Sequence, residues 1–132
     1  MIGIDTNVLL RLIVADHAGQ VAAARSFIRD NCSAEDPGYV SLIVLVELVW
    51  TLSKVYQLAR EQVAATVEQL LETVQLNLES SSEVTAALRD YRNGSAEFAD
   101  CLIARIHTAA GCGRTITFDR KAAKLPGFEL IK

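Results

Sequence analysis

The chain is short of several features that would assign it quickly. Cysteine is scarce: Cys32, Cys101 and Cys112 are all there are, an odd number without the close spacing of a metal knuckle. That excludes a disulfide framework and is the usage of a reduced, cytoplasmic protein, in which packing is the ordinary role of a free thiol. There is no basic excess either. Thirteen Lys and Arg stand against sixteen Asp and Glu, a net charge of −3, so any nucleic-acid binding must come from a local patch rather than a global field. Long hydrophobic runs are missing: the one near the N-terminus, residues 8–14, is broken by Arg11 and preceded by Asp5 rather than by a basic stretch. The expectation is neither a signal peptide nor a membrane span. No internal repeat, low-complexity run or linker interrupts residues 1–132, which are expected to form one domain long enough to bury its own core.

What is present alternates. Ile2-Gly3-Ile4 reads as a short buried strand ending at Asp5, followed by an apolar helix over 8–14 and a second helix, capped by Asp16, with Val21, Ala24, Phe27 and Ile28 at helical spacing. Pro37-Gly38 ends that stretch. Tyr39-Val40-Ser41 is the next strand candidate, with Ser41 placed to cap a helix over 42–53 that is apolar on every side and is expected to be buried nearly all round. An amphipathic helix follows over 60–74, then the strand Leu76-Asn77-Leu78. Behind Ser82 comes a helix with Val84, Ala87, Leu88 and Tyr91 inward and a left-handed cap at Asn93-Gly94. Ser95 would cap a helix over 96–109, with Phe98, Leu102 and Ile106 as its core stripe, and residues 115–118 form a strand ending at Asp119, before a short helix and a last strand over 128–131. This alternation predicts an α/β domain, a three-layer sandwich with a small, mostly parallel central sheet.

Four acids occupy comparable places. Asp5 and Asp119 directly follow strands, whose carboxyl ends are where open α/β sheets bind ligands. Glu47 interrupts the apolar helix, and Asp100 points almost opposite the core stripe of its own, sharing a face with Glu97 and His107. Each has an ordinary account: a helix cap for Asp5 and Asp119, a wet strip with Thr51 and Lys54 for Glu47, a solvated first turn for Asp100 and Glu97. His107 reads as a surface histidine. Taken together, clustered carboxylates repel and cost stability unless cations bind them, and hard oxygen donors suit Mg²⁺ or Mn²⁺. Such ions serve phosphoryl chemistry, and no His, Cys or Ser constellation offers a competing nucleophile.

The segments Ile4-Asp5-Thr6-Asn7-Val8, Ser41 to Glu47, Phe98-Ala99-Asp100-Cys101-Leu102-Ile103-Ala104 and Thr117-Phe118-Asp119 resemble, in order and spacing, the acidic motifs of PIN-domain nucleases. The likeness spans the chain, and the compact length is similar to the VapC-type toxins of prokaryotic toxin–antitoxin pairs. The resemblance implies a magnesium-dependent endoribonuclease, cutting RNA and held inactive by a cognate antitoxin. It implies that Asp5, Glu47 and Asp100 hold the metal, with Asp119 completing the quartet. Asn7 and Thr117 would orient them, and Glu97 would be an auxiliary ligand where the family more often has Asp. An activated water would attack a backbone phosphate in line, leaving a 5′-phosphate and a 3′-hydroxyl. Arg11, Lys54, Arg92, Arg105, Arg120 and Lys121 are the cations available to steer RNA toward an acidic pocket. The resemblance and the apolar helices over 42–52 and 63–74 point alike to a homodimer. Two other readings stay open: a haloacid-dehalogenase-like phosphohydrolase with Asp5 as nucleophile, although Asn7 stands where that class needs a second Asp, and a catalytically idle partner-binding module.

Overall fold

In a computed structural model that describes every residue from Met1 to Lys132, the chain is α/β with six α-helices, and all of its strand pairings are parallel. It divides into two compact units, Met1–Glu79 and Ser80–Lys132.

The first unit runs β1 (Ile2–Gly3), α1 (Thr6–Ile13), α2 (Ala18–Asn31), β2 (Gly38–Val40), α3 (Leu42–Lys54), α4 (Arg60–Glu72) and β3 (Leu76–Leu78). Its strands lie in the order β1-β2-β3, with Ile2 opposite Gly38 and Gly38 opposite Leu76. Parallel neighbours need long crossovers, and the two helix pairs supply them. Leu9 of α1, Val40 of β2, Leu45, Leu48 and Leu52 of α3, and Val63 and Val67 of α4 are all buried and form the core. Gly38 is there for space: a Cβ would come within 2.9 Å of the Ile4 side chain and 3.2 Å of Cys32 Sγ. Any larger residue would push β2 off β1.

The second unit runs α5 (Ser81–Asn93), α6 (Phe98–Ala109), β4 (Thr115–Thr117), a 3₁₀ turn (Ala122–Lys124) and β5 (Phe128–Leu130). The inward residues Val84, Ala87, Leu88 and Tyr91 of α5 and Phe98, Cys101 and Leu102 of α6 are buried. Tyr91 and Phe98 meet edge to face, with ring centroids 5.7 Å apart and planes at 87°, a geometry the ring quadrupoles favour. β4 pairs with β5, Thr115 opposite Phe128.

The structure departs from the sequence reading at helix ends, at helix faces and at β1, whose Ile2 and Gly3 are exposed while only Ile4 beyond them is buried, because β1 is the edge strand of its sheet. α3 is not buried all round: Ile43 is 82% and Trp50 58% exposed, on the same face as the exposed Glu47 and Lys54. With that face open to water, burial no longer obliges Glu47 to find a partner. Phe27 also stands outside the core. His17, not Asp16, caps α2, its Nδ1 accepting from the Gln20 N–H at 3.2 Å. Glu97, not Ser95, precedes α6. Gly94 ends α5 in extended backbone rather than left-handed, and glycine is needed because a Cβ would crowd the Asp90 carbonyl at 3.3 Å. At α5 the left-handed residue is instead Ser80, at the start of the helix. Ser41 does cap α3, its hydroxyl accepting from the Val44 N–H at 3.3 Å.

Candidate functional site

In the first unit, Asp5 stands two residues beyond β1 and is the cap of α1. Its Oδ1 accepts the Thr6 N–H at 2.8 Å, while its carbonyl accepts from Val8 at 3.2 Å. The carboxylate is therefore both exposed and held at a helix N-terminus, where the dipole favours negative charge. Beside it in the chain, the hydroxyl of Thr6 is buried and has no hydrogen-bond partner. An unsatisfied buried hydroxyl costs about 1–3 kcal/mol, so this one calls for a water or ligand oxygen. Glu47 sits on the open face of α3, its carbonyl accepting from the Thr51 hydroxyl at 2.9 Å.

In the second unit, two acids lie within electrostatic reach of a third, Asp100. Asp100, half-buried in the first turn of α6, is held above its ordinary carboxylate pKa first by burial, then by the charges of Asp119 and Glu97. Asp119 follows β4, and its Oδ1 accepts from the N–H groups of Lys121 at 2.8 Å and Ala122 at 3.3 Å. The Thr117 hydroxyl accepts the N–H of Asp119 itself at 3.0 Å. Thr117 thus orients Asp119 through its backbone. The 3₁₀ turn begins there because Asp119 satisfies its first donors.

In the first unit Asp5 is thereby placed at a helix start and Glu47 in the middle of α3, and in the second unit Asp119 and Glu97 are brought near Asp100. In neither unit do three or more acidic, histidine or cysteine side chains stand close enough to hold a metal ion by themselves. The donor set nevertheless fits a divalent cation: all hard oxygens, and with a proton affinity at Asp100 raised by burial and then by the charges of Asp119 and Glu97, a repulsion that a cation would relieve.

The cations differ in availability. Arg105 forms a two-pronged pair with Asp90, at 2.7 and 2.9 Å, so its guanidinium is committed within the second unit and is the poorest candidate for steering RNA. Arg11 is bonded to Gln20 and reaches Asp16 at a long 3.5 Å. Arg120 and Lys121 are exposed beside Asp119.

Two residues escaped the sequence reading. Glu79 directly follows β3 and its Oε1 accepts the Leu42 N–H at 2.9 Å, at the start of α3. An acid just past a strand was the available signal, the same one that singled out Asp5 and Asp119. His107 is not merely a surface residue, since its Nδ1 lies 2.8 Å from the Thr115 hydroxyl and ties α6 to β4.

A family model described as "PIN domain" matches residues 2–127. The chain is also 27% identical over 128 residues to the VapC ribonuclease of Aquifex aeolicus (strain VF5), an alignment covering 97% of this chain and 93% of that protein.

Proposed function

Since the chain belongs to the PIN domain family, we propose that it is a divalent-metal-dependent endoribonuclease, the toxin of a toxin–antitoxin pair. One observation in the structure carries the reading: Asp100 shifted upward by burial and by two neighbouring acids, Asp119 and Glu97. Paired acids at a structural surface have no reason to be crowded, whereas acids that share a cation do. The name of the relative, a ribonuclease, supports RNA as the substrate.

In this reading residues 1–132 work as one nuclease domain. Asp5, Glu47, Asp100 and Asp119 hold Mg²⁺ or Mn²⁺, with Glu97 as an auxiliary ligand. The bound cation supplies Lewis acidity, lowering the pKa of a water and stabilising the leaving oxygen of the phosphodiester. Asp5 is oriented by the first N–H of α1. Thr117 and the turn at Lys121 and Ala122 hold Asp119 at two points, its N–H and its carboxylate, so that it need not reorganise when RNA arrives. Asn7, the second residue of α1, orients the substrate or the acids beside Asp5. Arg120, Lys121, Lys54 and Arg92 steer the RNA backbone.

The partners follow from the same reading: an antitoxin protein that blocks the acids, and a second copy of the chain seated on the exposed Ile43 and Trp50 of α3. No helix is long and apolar enough to cross a membrane; the place of action in this reading, with RNA and an antitoxin as partners, is the cytoplasm. The test is incubation of the purified chain, free of partner and metal, with total cellular RNA in Mg²⁺, Mn²⁺ or chelator. Discrete cleavage with either metal and none with chelator is expected. Intact RNA under all three conditions overturns the reading.

A further inference from the structure

The first unit holds a cavity of about 330 Å³ between α1 and α2, lined by Asn7, Val8, Arg11, Gln20, Ala23 and Ala24. Small-ligand pockets begin at about 300 Å³, and this one opens beside α1, whose first turn follows Asp5. A second cavity, 200 Å³ and lined by Arg105 and Asp90 among others, is smaller, and its arginine is already fully engaged.

The polar groups of the larger cavity are not interchangeable. Arg11 can only donate, so the Gln20 atom that it bonds must be the amide oxygen, Oε1. The Gln20 NH₂ is left as a donor. Arg11 Nε is spent on Gln20, its Nη1 makes only a 3.5 Å contact with Asp16, and its side chain is 27% exposed, which leaves guanidinium donors directed elsewhere. Asp16 is itself fixed by the Tyr56 hydroxyl, donating at 3.3 Å. The lining is thus rich in donors, yet Asp16 offsets much of the positive charge that a phosphate would require. A neutral ligand edge with two adjacent acceptors suits it better, and among the bases only guanine presents O6 and N7 side by side. Val8, Ala23 and Ala24 supply apolar walls for a base taken out of its stack, the usual form in which single-stranded RNA is read.

We propose that this cavity is a base-selective subsite of the nuclease, taking one unpaired guanine near the cleaved bond through Arg11 and Gln20. The inference rests on the ribonuclease reading above. Its test uses the full chain in chelator, where RNA is bound but not cut, and labelled single-stranded hexamers that differ by one guanine in an otherwise all-adenine sequence. Wild type binds the guanine-containing hexamer about tenfold or more tighter, the scale of one two-pronged base contact. Gln20→Glu keeps the acceptor for Arg11 but loses the amide donors, and Arg11→Ala loses the guanidinium donors together with the bond that holds Gln20. Each removes the preference, so that the guanine-containing hexamer loses more than the all-adenine one, whose affinity falls only by the share of the one charge changed.

An equal loss for both hexamers would mean a phosphate contact and overturns the subsite. So does the absence of a guanine preference in wild type, including the case in which a partner protein's chain is then found to fill the cavity. Mapping of cleavage ends in Mg²⁺ separates the two levels. Cleavage indifferent to guanine sinks the subsite alone, whereas guanine-selective binding without any cleavage in Mg²⁺ or Mn²⁺ sinks the nuclease reading and leaves the subsite standing.

Discussion

Glu79 and Leu42 lie 37 positions apart in the chain, yet the Glu79 carboxylate accepts the Leu42 N–H at 2.9 Å and so closes the first turn of α3. The same carboxylate faces Tyr39, whose hydroxyl is held above its ordinary pKa by burial, then by the charge of Glu79 and a hydrogen bond to it. Glu79→Ala is expected to cost about 1–2 kcal/mol in urea unfolding, the scale of a charge-assisted bond to a helix end. Glu79→Gln should lower the Tyr39 pKa, read as an earlier rise of tyrosinate absorbance. Unchanged stability and an unchanged titration would show that Glu79 braces nothing.

Asp5→Asn separates site from scaffold. An amide oxygen caps α1 nearly as well as a carboxylate, so melting in chelator should shift by no more than about 1 kcal/mol. Mg²⁺ should no longer raise the melting temperature, because linkage stabilises only a native state that binds the ion, and RNA cleavage should be lost. A variant that keeps both responses removes Asp5 from the ligand set.

The pH dependence of the metal-free chain follows from Asp100, which in the folded state binds its proton above the ordinary carboxylate range. The folded chain then holds more protons than the unfolded one across that window. This contribution to stability is complete below the unfolded value of about 3.9 and falls away as pH rises through the raised folded value. Asp100→Asn should abolish that slope and be at least as stable as wild type at neutral pH in chelator. Urea unfolding from about pH 4 to pH 7 measures it. A variant with the wild-type slope would place the titration elsewhere.

Arg105 should prove structural. Arg105→Ala leaves Asp90, only 20% exposed at its side chain, without its two-pronged partner, at a cost of about 1–2 kcal/mol. The salt dependence of RNA binding should not change, whereas Arg120→Ala and Lys121→Ala should reduce it, each by about one charge's worth. A reduced slope in Arg105→Ala would return that residue to the steering set.

Trp50→Glu tests the exposed face of α3. An apolar patch formed by Ile43 and Trp50 and buried in a dimer would be opened by the new charge, so sedimentation should change from dimer to monomer with little loss of thermal stability. Wild type that sediments as a monomer at micromolar concentration removes the dimer.

Much of the chain could be read without coordinates, because the information is local. The period of apolar residues in α4 and α5, the cap at Ser41, the strand at Leu76–Leu78 and the order of the four acidic segments all depend on neighbours a few positions away. Helix ends were less legible. Asp16 and Ser95 each carry a capping residue type, but which residue caps is decided by backbone direction, and His17 and Glu97 took those places; Gly94 does end α5, though in extended rather than left-handed backbone. The open face of α3 was legible only as the strip of Glu47, Thr51 and Lys54; the remaining positions are apolar on every side and do not tell Leu48 inside from Trp50 outside, which tertiary structure decided. It alone joined Glu79 to Leu42, Arg105 to Asp90, and Asp119 to Asp100, whereas Glu97 was placed beside Asp100 by helical spacing. Sequence can nominate an acid by its type and its place after a strand; whether that acid caps a helix, braces a loop or crowds another depends on residues brought beside it from far along the chain, and only folding sets those distances.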